Sequence, residues 1–148
     1  MNILKQYFND PMFQRQIIME HYKNPKNRGL IEDDSYLKIH MDSDSCIDDI
    51  HIQLKLEDNT IKDVRFDGEA CTIATSTTSI LIGLILNKSR EEALKIIDNY
   101  LAMVDEKEYD DSLLEEALVY QNIYKQANRI KCATLSWNGI KELLEGDE

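Results

Sequence analysis

From residue 50 to residue 57, apolar and polar positions alternate without a break. Ile50, Ile52, Leu54 and Leu56 interleave with His51, Gln53, Lys55 and Glu57. A period of two is the mark of a strand with one buried face. Leu37, Ile39 and Met41 alternate in the same way with Lys38 and His40, which predicts a half-buried strand upstream. Asp58-Asn59 suits a two-residue hairpin turn. The run 61–66 then predicts a return strand that ends at Asp67-Gly68. Three successive strands with short connections predict an antiparallel meander.

The rest of the chain reads at helical spacing. Ile3, Leu4, Tyr7 and Phe8 predict a short first helix. Asp10 as N-cap and Pro11 at the first helical position open a second, with Phe13, Ile17, Ile18 and Tyr22 on its apolar face. Asn24-Pro25 closes it. After the third strand, small polar residues lead into a buried helix carrying Ile80, Leu81, Leu84 and Ile85 and ending near Asn87. Ser89-Arg90-Glu91-Glu92 is a capping box for a helix over 93–101, and Ser112-Leu113-Leu114-Glu115 is a second box for a short helix to Tyr120. The stretch 104–111 between them is acidic and loop-like. A last helix is expected from Asn128, packed through Ile130, Ala133, Trp137, Ile140 and Leu144. Strands first and helices afterwards predict a single α+β domain over 1–148, a three-stranded antiparallel meander with several helices on one face.

Charge narrows the function. Acidic residues outnumber Lys and Arg by 28 to 17, a formal charge of −11. Nucleic acid is not an expected partner, because phosphate contacts need a basic face. The longest apolar block, ILIGLIL, is too short to span a bilayer, so no membrane association is expected. The first ten residues lack the basic and apolar regions of a secretory signal, and three cysteines cannot all pair within one chain. A reduced, cytoplasmic setting follows as an expectation.

The chemistry then rests on the cysteines. Cys71 follows the third strand and precedes a helix, where free N–H groups favour a thiolate; a small buried hydrophobe is the plain alternative. Cys46 lies between strands one and two, so the meander can bring both to one end of the sheet. Cys132 needs only its helix start laid across that end. Asp48, two residues from Cys46, could chelate the same ion or serve as a turn or capping acid within a run of aspartates. Three thiols and one carboxylate would make a four-coordinate site of the kind that holds zinc or an iron–sulfur cluster. Arg129 and Lys131, beside Cys132, would offset its negative charge or simply be solvated. His40 and His51 take polar strand positions and are expected to face water; His21 lies near a helix end, where imidazolium suits the dipole. Trp137 and the methionines read as core, and the Ser/Thr run 72–79 as helix-start polarity.

Four segments together carry a resemblance: IIMEHYKNPKNRG (17–29), SDSCIDDI (43–50), VRFDGEACTIATSTTS (64–79) and RIKCATLSW (129–137). The chain resembles the iron–sulfur cluster assembly proteins of the IscU/NifU N-terminal type, most closely the SufU branch. The branch is marked by Lys131 where IscU scaffolds carry His, by the missing Leu-Pro-Pro-Val-Lys motif, and by 104–119, which resembles the SufU insertion. Ser43, Asp44, Ile47 and Ala70 depart from the family's pattern, and Ile47 and Ala70 stand where Gly is usual. The resemblance implies metal ligands at Cys46, Asp48, Cys71 and Cys132. It implies a zinc-bound acceptor of persulfide sulfur from a cysteine desulfurase, with Cys46 as the sulfur-accepting thiolate and Lys131 and Arg129 steadying charge. The alternatives are a scaffold on which a [2Fe–2S] cluster is built and passed to downstream assembly or acceptor proteins, and a metal-stapled interaction domain without sulfur chemistry.

Overall fold

The structure is a computed structural model that describes residues 3–43 and 47–146. Its element order is α1 (Ile3–Tyr7), α2 (Pro11–Lys23), β1 (Leu37–Asp42), β2 (Asp49–Glu57), β3 (Thr60–Glu69), α3 (Thr72–Ile85), α4 (Arg90–Val104) and α5 (Ile130–Gly146). Short 3-10 turns fill the stretch between α4 and α5.

The sheet is the expected meander, ordered β1-β2-β3 with both pairings antiparallel. Asp58 and Asn59 both take positive φ, 51° and 64°, the left-handed turn that matches strand twist. Alternation sorts the side chains. Ile50, Ile52 and Leu54 on β2 and Val64 and Phe66 on β3 are buried on the inner face, joined by the half-buried Leu37, Ile39 and Met41. α5 packs on that face. Gly139 permits the approach: a Cβ there would lie 2.8 Å from Met41 Cγ.

β3 runs further than its pattern predicts. Asp67-Gly68 does not end the strand; Gly68 pairs with Ile50 and Glu69 with Asp49. Gly68 holds φ at +129°, and a Cβ would fall 2.1 Å from Asp49 O. The turn signal in Asp-Gly is here a backbone position that only Gly fills within a ladder.

α3 is the central helix. Residues 74–82 along it are all buried, including Thr75, Ser76, Thr77, Thr78 and Ser79. The Ser/Thr run begins the helix as expected, and from Thr75 onward its hydroxyls are buried. Each hydroxyl meets a different neighbour. Ser76 pairs with Tyr120 OH, Thr78 with Ser136 Oγ at 2.6 Å, and Ser79 Oγ with His21 Nδ1 at 2.7 Å. Thr77 Oγ1 accepts from Trp137 Nε1 at 2.8 Å and lies 3.2 Å from Tyr100 OH. Buried hydroxyls are tolerable only when bonded in this way.

The Ser89 capping box forms, and α4 continues past its predicted end to Val104. The Ser112 box does not form. Asp110 Oδ1 takes both the N–H and the hydroxyl of Ser112 instead, and the chain turns as 3-10 segments through Asp111–Leu113 and Glu115–Tyr120. Leu114, Ala117, Leu118 and Val119 still bury their side chains there. Trp137 is core as expected, whereas Met12 is 75% exposed. Among the described residues no helix is long and apolar enough to cross a membrane.

Candidate metal centre

The meander returns β3 to the end where β2 begins, and the chain there turns directly into α3. Asp48 immediately precedes β2, and its carboxylate is buried. Asp48 Oδ1 accepts the Cys71 N–H at 2.8 Å. That bond clips the β3–α3 junction to the start of β2. Cys71 is the N-cap of α3, and its sulfur accepts the Ala74 N–H at 3.4 Å. α5, laid across the sheet, delivers Cys132 from its first turn, 1% exposed.

These three residues converge. One donor atom from each of Asp48, Cys71 and Cys132 lies within 4.8 Å of the other two. Cys71 Sγ is 3.8 Å from Asp48 Oδ2. An ion bonded tetrahedrally to sulfur at about 2.3 Å and oxygen at about 2.1 Å needs those donors about 3.6 Å apart. The Cys71–Asp48 pair is close to that spacing, and two sulfurs with a buried carboxylate are the donor chemistry of a thiophilic dication. Burial pushes the Cys71 thiol up, and the Asp48 carboxylate adds to it; the Ala74 N–H and the Cys132 thiol act the other way. The cluster alone thus holds Cys71 protonated, and a cation would reverse the balance.

Cys46 lies outside the described residues. Ile47, next to it, is 67% exposed, while Asp48 after it is buried. Arg129 and Lys131 are exposed at the start of α5. Lys131 lines a cleft of about 280 Å³ with Asp42, Ser43 and Thr134, on the side where β1 ends.

The histidines divide. His40 and His51 face solvent as expected. His21 does not: it is buried, with Nδ1 on Ser79 and Nε2 3.0 Å from Glu116 Oε1. A carboxylate only accepts, so Nε2 carries a proton, and Ser79, already accepting the Lys26 N–H at 2.9 Å, can give its own to Nδ1. The only trace of this in the sequence was that His21 falls on the side of α2 shared with Ile17 and Ile18.

Known proteins carry the same arrangement of chain. The profile of the NifU-like N terminal domain matches residues 13–133. The zinc-dependent sulfurtransferase SufU of Bacillus subtilis (strain 168) is 37% identical over 135 residues, covering 90% of this chain and 90% of that protein. The iron-sulfur cluster assembly scaffold protein IscU of Streptococcus pyogenes serotype M1 is 32% identical over 130 residues, 87% of this chain and 80% of that one. A crystal structure from Fervidobacterium islandicum AW-1, described as an iron-sulfur cluster assembly scaffold protein for the SUF system, superposes with a TM-score of 0.83 at 28% identity. It covers 86% of this chain and 93% of its own.

Proposed function

The chain belongs to the NifU-like N-terminal domain family, and from that premise we propose that it is a zinc-bound sulfur acceptor in iron–sulfur cluster assembly, supplied by a cysteine desulfurase. The observation that carries the reading is the convergence of the Asp48, Cys71 and Cys132 donors at one rim of the sheet. Cys46, two residues before Asp48 in the chain, is the fourth ligand in this reading. Zinc, when bound there, keeps thiolates deprotonated and shielded at neutral pH.

The chain's own residues divide the labour. Cys132 is buried on a helix, and Cys71 is tied to α3 through its capping bond, so neither is placed to leave the cluster easily. That favours Cys46 as the thiolate that meets the desulfurase. The Cys46 thiolate attacks the outer sulfur of the desulfurase persulfide. One S–S bond forms as the other breaks, the desulfurase departs as a thiolate, and nothing is oxidised or reduced overall. Asp48 fixes the Cys71 backbone and offers the weaker, harder ligand atom. Lys131 and Arg129, exposed beside Cys132, steady the negative charge of the rim. The whole chain is one domain in this reading, with 104–119 as the insertion that marks the SufU branch.

The scaffold reading uses the same donors for a [2Fe–2S] cluster and is favoured by the IscU relative. Three measurements separate the readings: metal content of fresh tag-free protein, its absorption after anaerobic reconstitution, and desulfurase turnover with the wild type, Cys46→Ala and Asp48→Ala. Sulfur acceptance requires about one zinc per chain, no lasting visible chromophore, stimulated turnover that Cys46→Ala abolishes, and easier zinc loss to chelator in Asp48→Ala. A stable brown protein with turnover indifferent to Cys46 establishes the scaffold instead. Zinc without either activity leaves a metal-stapled interaction domain.

A further inference from the structure

The outer face of the sheet carries a second set of donors that sulfur acceptance does not use. His40 and His51 are ladder partners on β1 and β2, so their side chains share a face. Asp49, two residues before His51, returns to the same face. The two imidazoles stack with centroids 4.3 Å apart and planes 9° from parallel. Both Nε2 atoms address one oxygen: His40 Nε2 is 2.5 Å from Asp49 Oδ1, and His51 Nε2 is 4.0 Å from it. All three donors lie within 4.8 Å of one another.

We propose that His40, Asp49 and His51 form a second, solvent-facing binding site for a transition-metal dication such as zinc or nickel. Two imidazoles and one carboxylate are the donor set of borderline metals, not of calcium or magnesium. Ordinary bonds of about 2.0–2.2 Å place such donors about 3–3.5 Å apart. The three side chains are each roughly half exposed, at 49%, 55% and 53%, so they have room to re-aim and water can fill the remaining positions.

The surroundings favour a cation. In register across the sheet, Asp42 and Glu69 flank Asp49, and Asp67, itself paired with Arg28, flanks His51. A cleft of about 900 Å³ opens beside the pair, and among the described residues on its wall Glu32, Asp33 and Asp34 outnumber the one cation, Lys38. As a structural ion pair the trio adds little, because exposed pairs of this kind are screened by solvent. The site is separate from the thiol cluster: Asp48 turns inward and is buried, whereas Asp49 turns out.

The test is a nickel titration of tag-free protein as purified, its bound metal measured first. Calorimetry gives the stoichiometry, and NMR gives paramagnetic broadening of the imidazole protons. One saturable equivalent that broadens His40 and His51, with the original metal retained, is expected. His51→Asn and Asp49→Asn should each weaken it about tenfold or more, since even outer-shell partners of metal ligands are worth that much. Cys71→Ser should leave it in place, which keeps this result independent of the proposed sulfur chemistry. Absence of saturable binding, or binding undiminished in the His40→Asn/His51→Asn double variant, overturns the proposal.

Discussion

Single hydroxyls decide how α3 sits. Thr77 shows it most clearly, because its Oγ1 is the acceptor that Trp137 Nε1 reaches at 2.8 Å in the closed interior. Val has nearly the same shape and no acceptor. Thr77→Val should therefore lower stability by about 1–3 kcal/mol, the range for a buried donor left without a partner. Urea unfolding should show an earlier midpoint with an unchanged slope. Thr77→Ser keeps the oxygen and should lose less. If Thr77→Val unfolds at the wild-type midpoint, the bond to Trp137 carries no net stabilisation.

At the level of elements, α2 is latched to the turn segment Glu115–Tyr120 through His21 and Glu116. The hydrogen bond from His21 holds the Glu116 carboxyl below the usual glutamate value, against the desolvation that raises it. A carboxylate depressed in the folded state contributes stability above its unfolded pKa of about 4.3 and loses that contribution as pH falls through the folded value. Glu116→Gln should thus be less stable than the wild type near neutrality, by under about 1 kcal/mol because the group is 44% exposed. The difference should close in acid, as unfolding midpoints at about pH 6 and about pH 3 would report. Elements whose signal is local were legible in the sequence: the alternation in β2, the Asp58-Asn59 turn, the Asp10-Pro11 start, the Ser89 box. The misreadings share a cause. The burial of Ser and Thr in 72–79, the continuation of β3 through Asp67-Gly68 and the lost Ser112 cap each follow from a partner that the local turn or cap signal does not show. Tyr120, Tyr100, Trp137 and Ser136 satisfy the hydroxyls of α3, and β2 captures Gly68; at Ser112 a nearer rival, Asp110, takes the cap. The convergence of Asp48, Cys71 and Cys132 followed from meander topology plus a helix laid over one end. The burial of Asp48 did not, because one aspartate among four gives no sign of which turns inward.

Across the whole molecule, the thiol cluster joins parts of the chain that are remote in sequence: the lead-in to β2, the start of α3 and the first turn of α5. A metal held there binds only the folded state and stabilises it by mass action. An ion present at 100 times its dissociation constant adds about 2.7 kcal/mol, which for a domain of this size is about 5–10 °C in Tm. Chelation should lower the thermal midpoint by that order in a calorimetric scan, and zinc should restore it. An unchanged midpoint after verified removal would mean that the rim is held by protein contacts alone. The sulfur of Cys71 has a further duty, because it also terminates α3. A bulky thiol blocker placed there would do more than silence a reactive atom. It would unpick the first turn of the helix against which Tyr100, Tyr120 and Trp137 rest, and the interior would loosen from the rim downward.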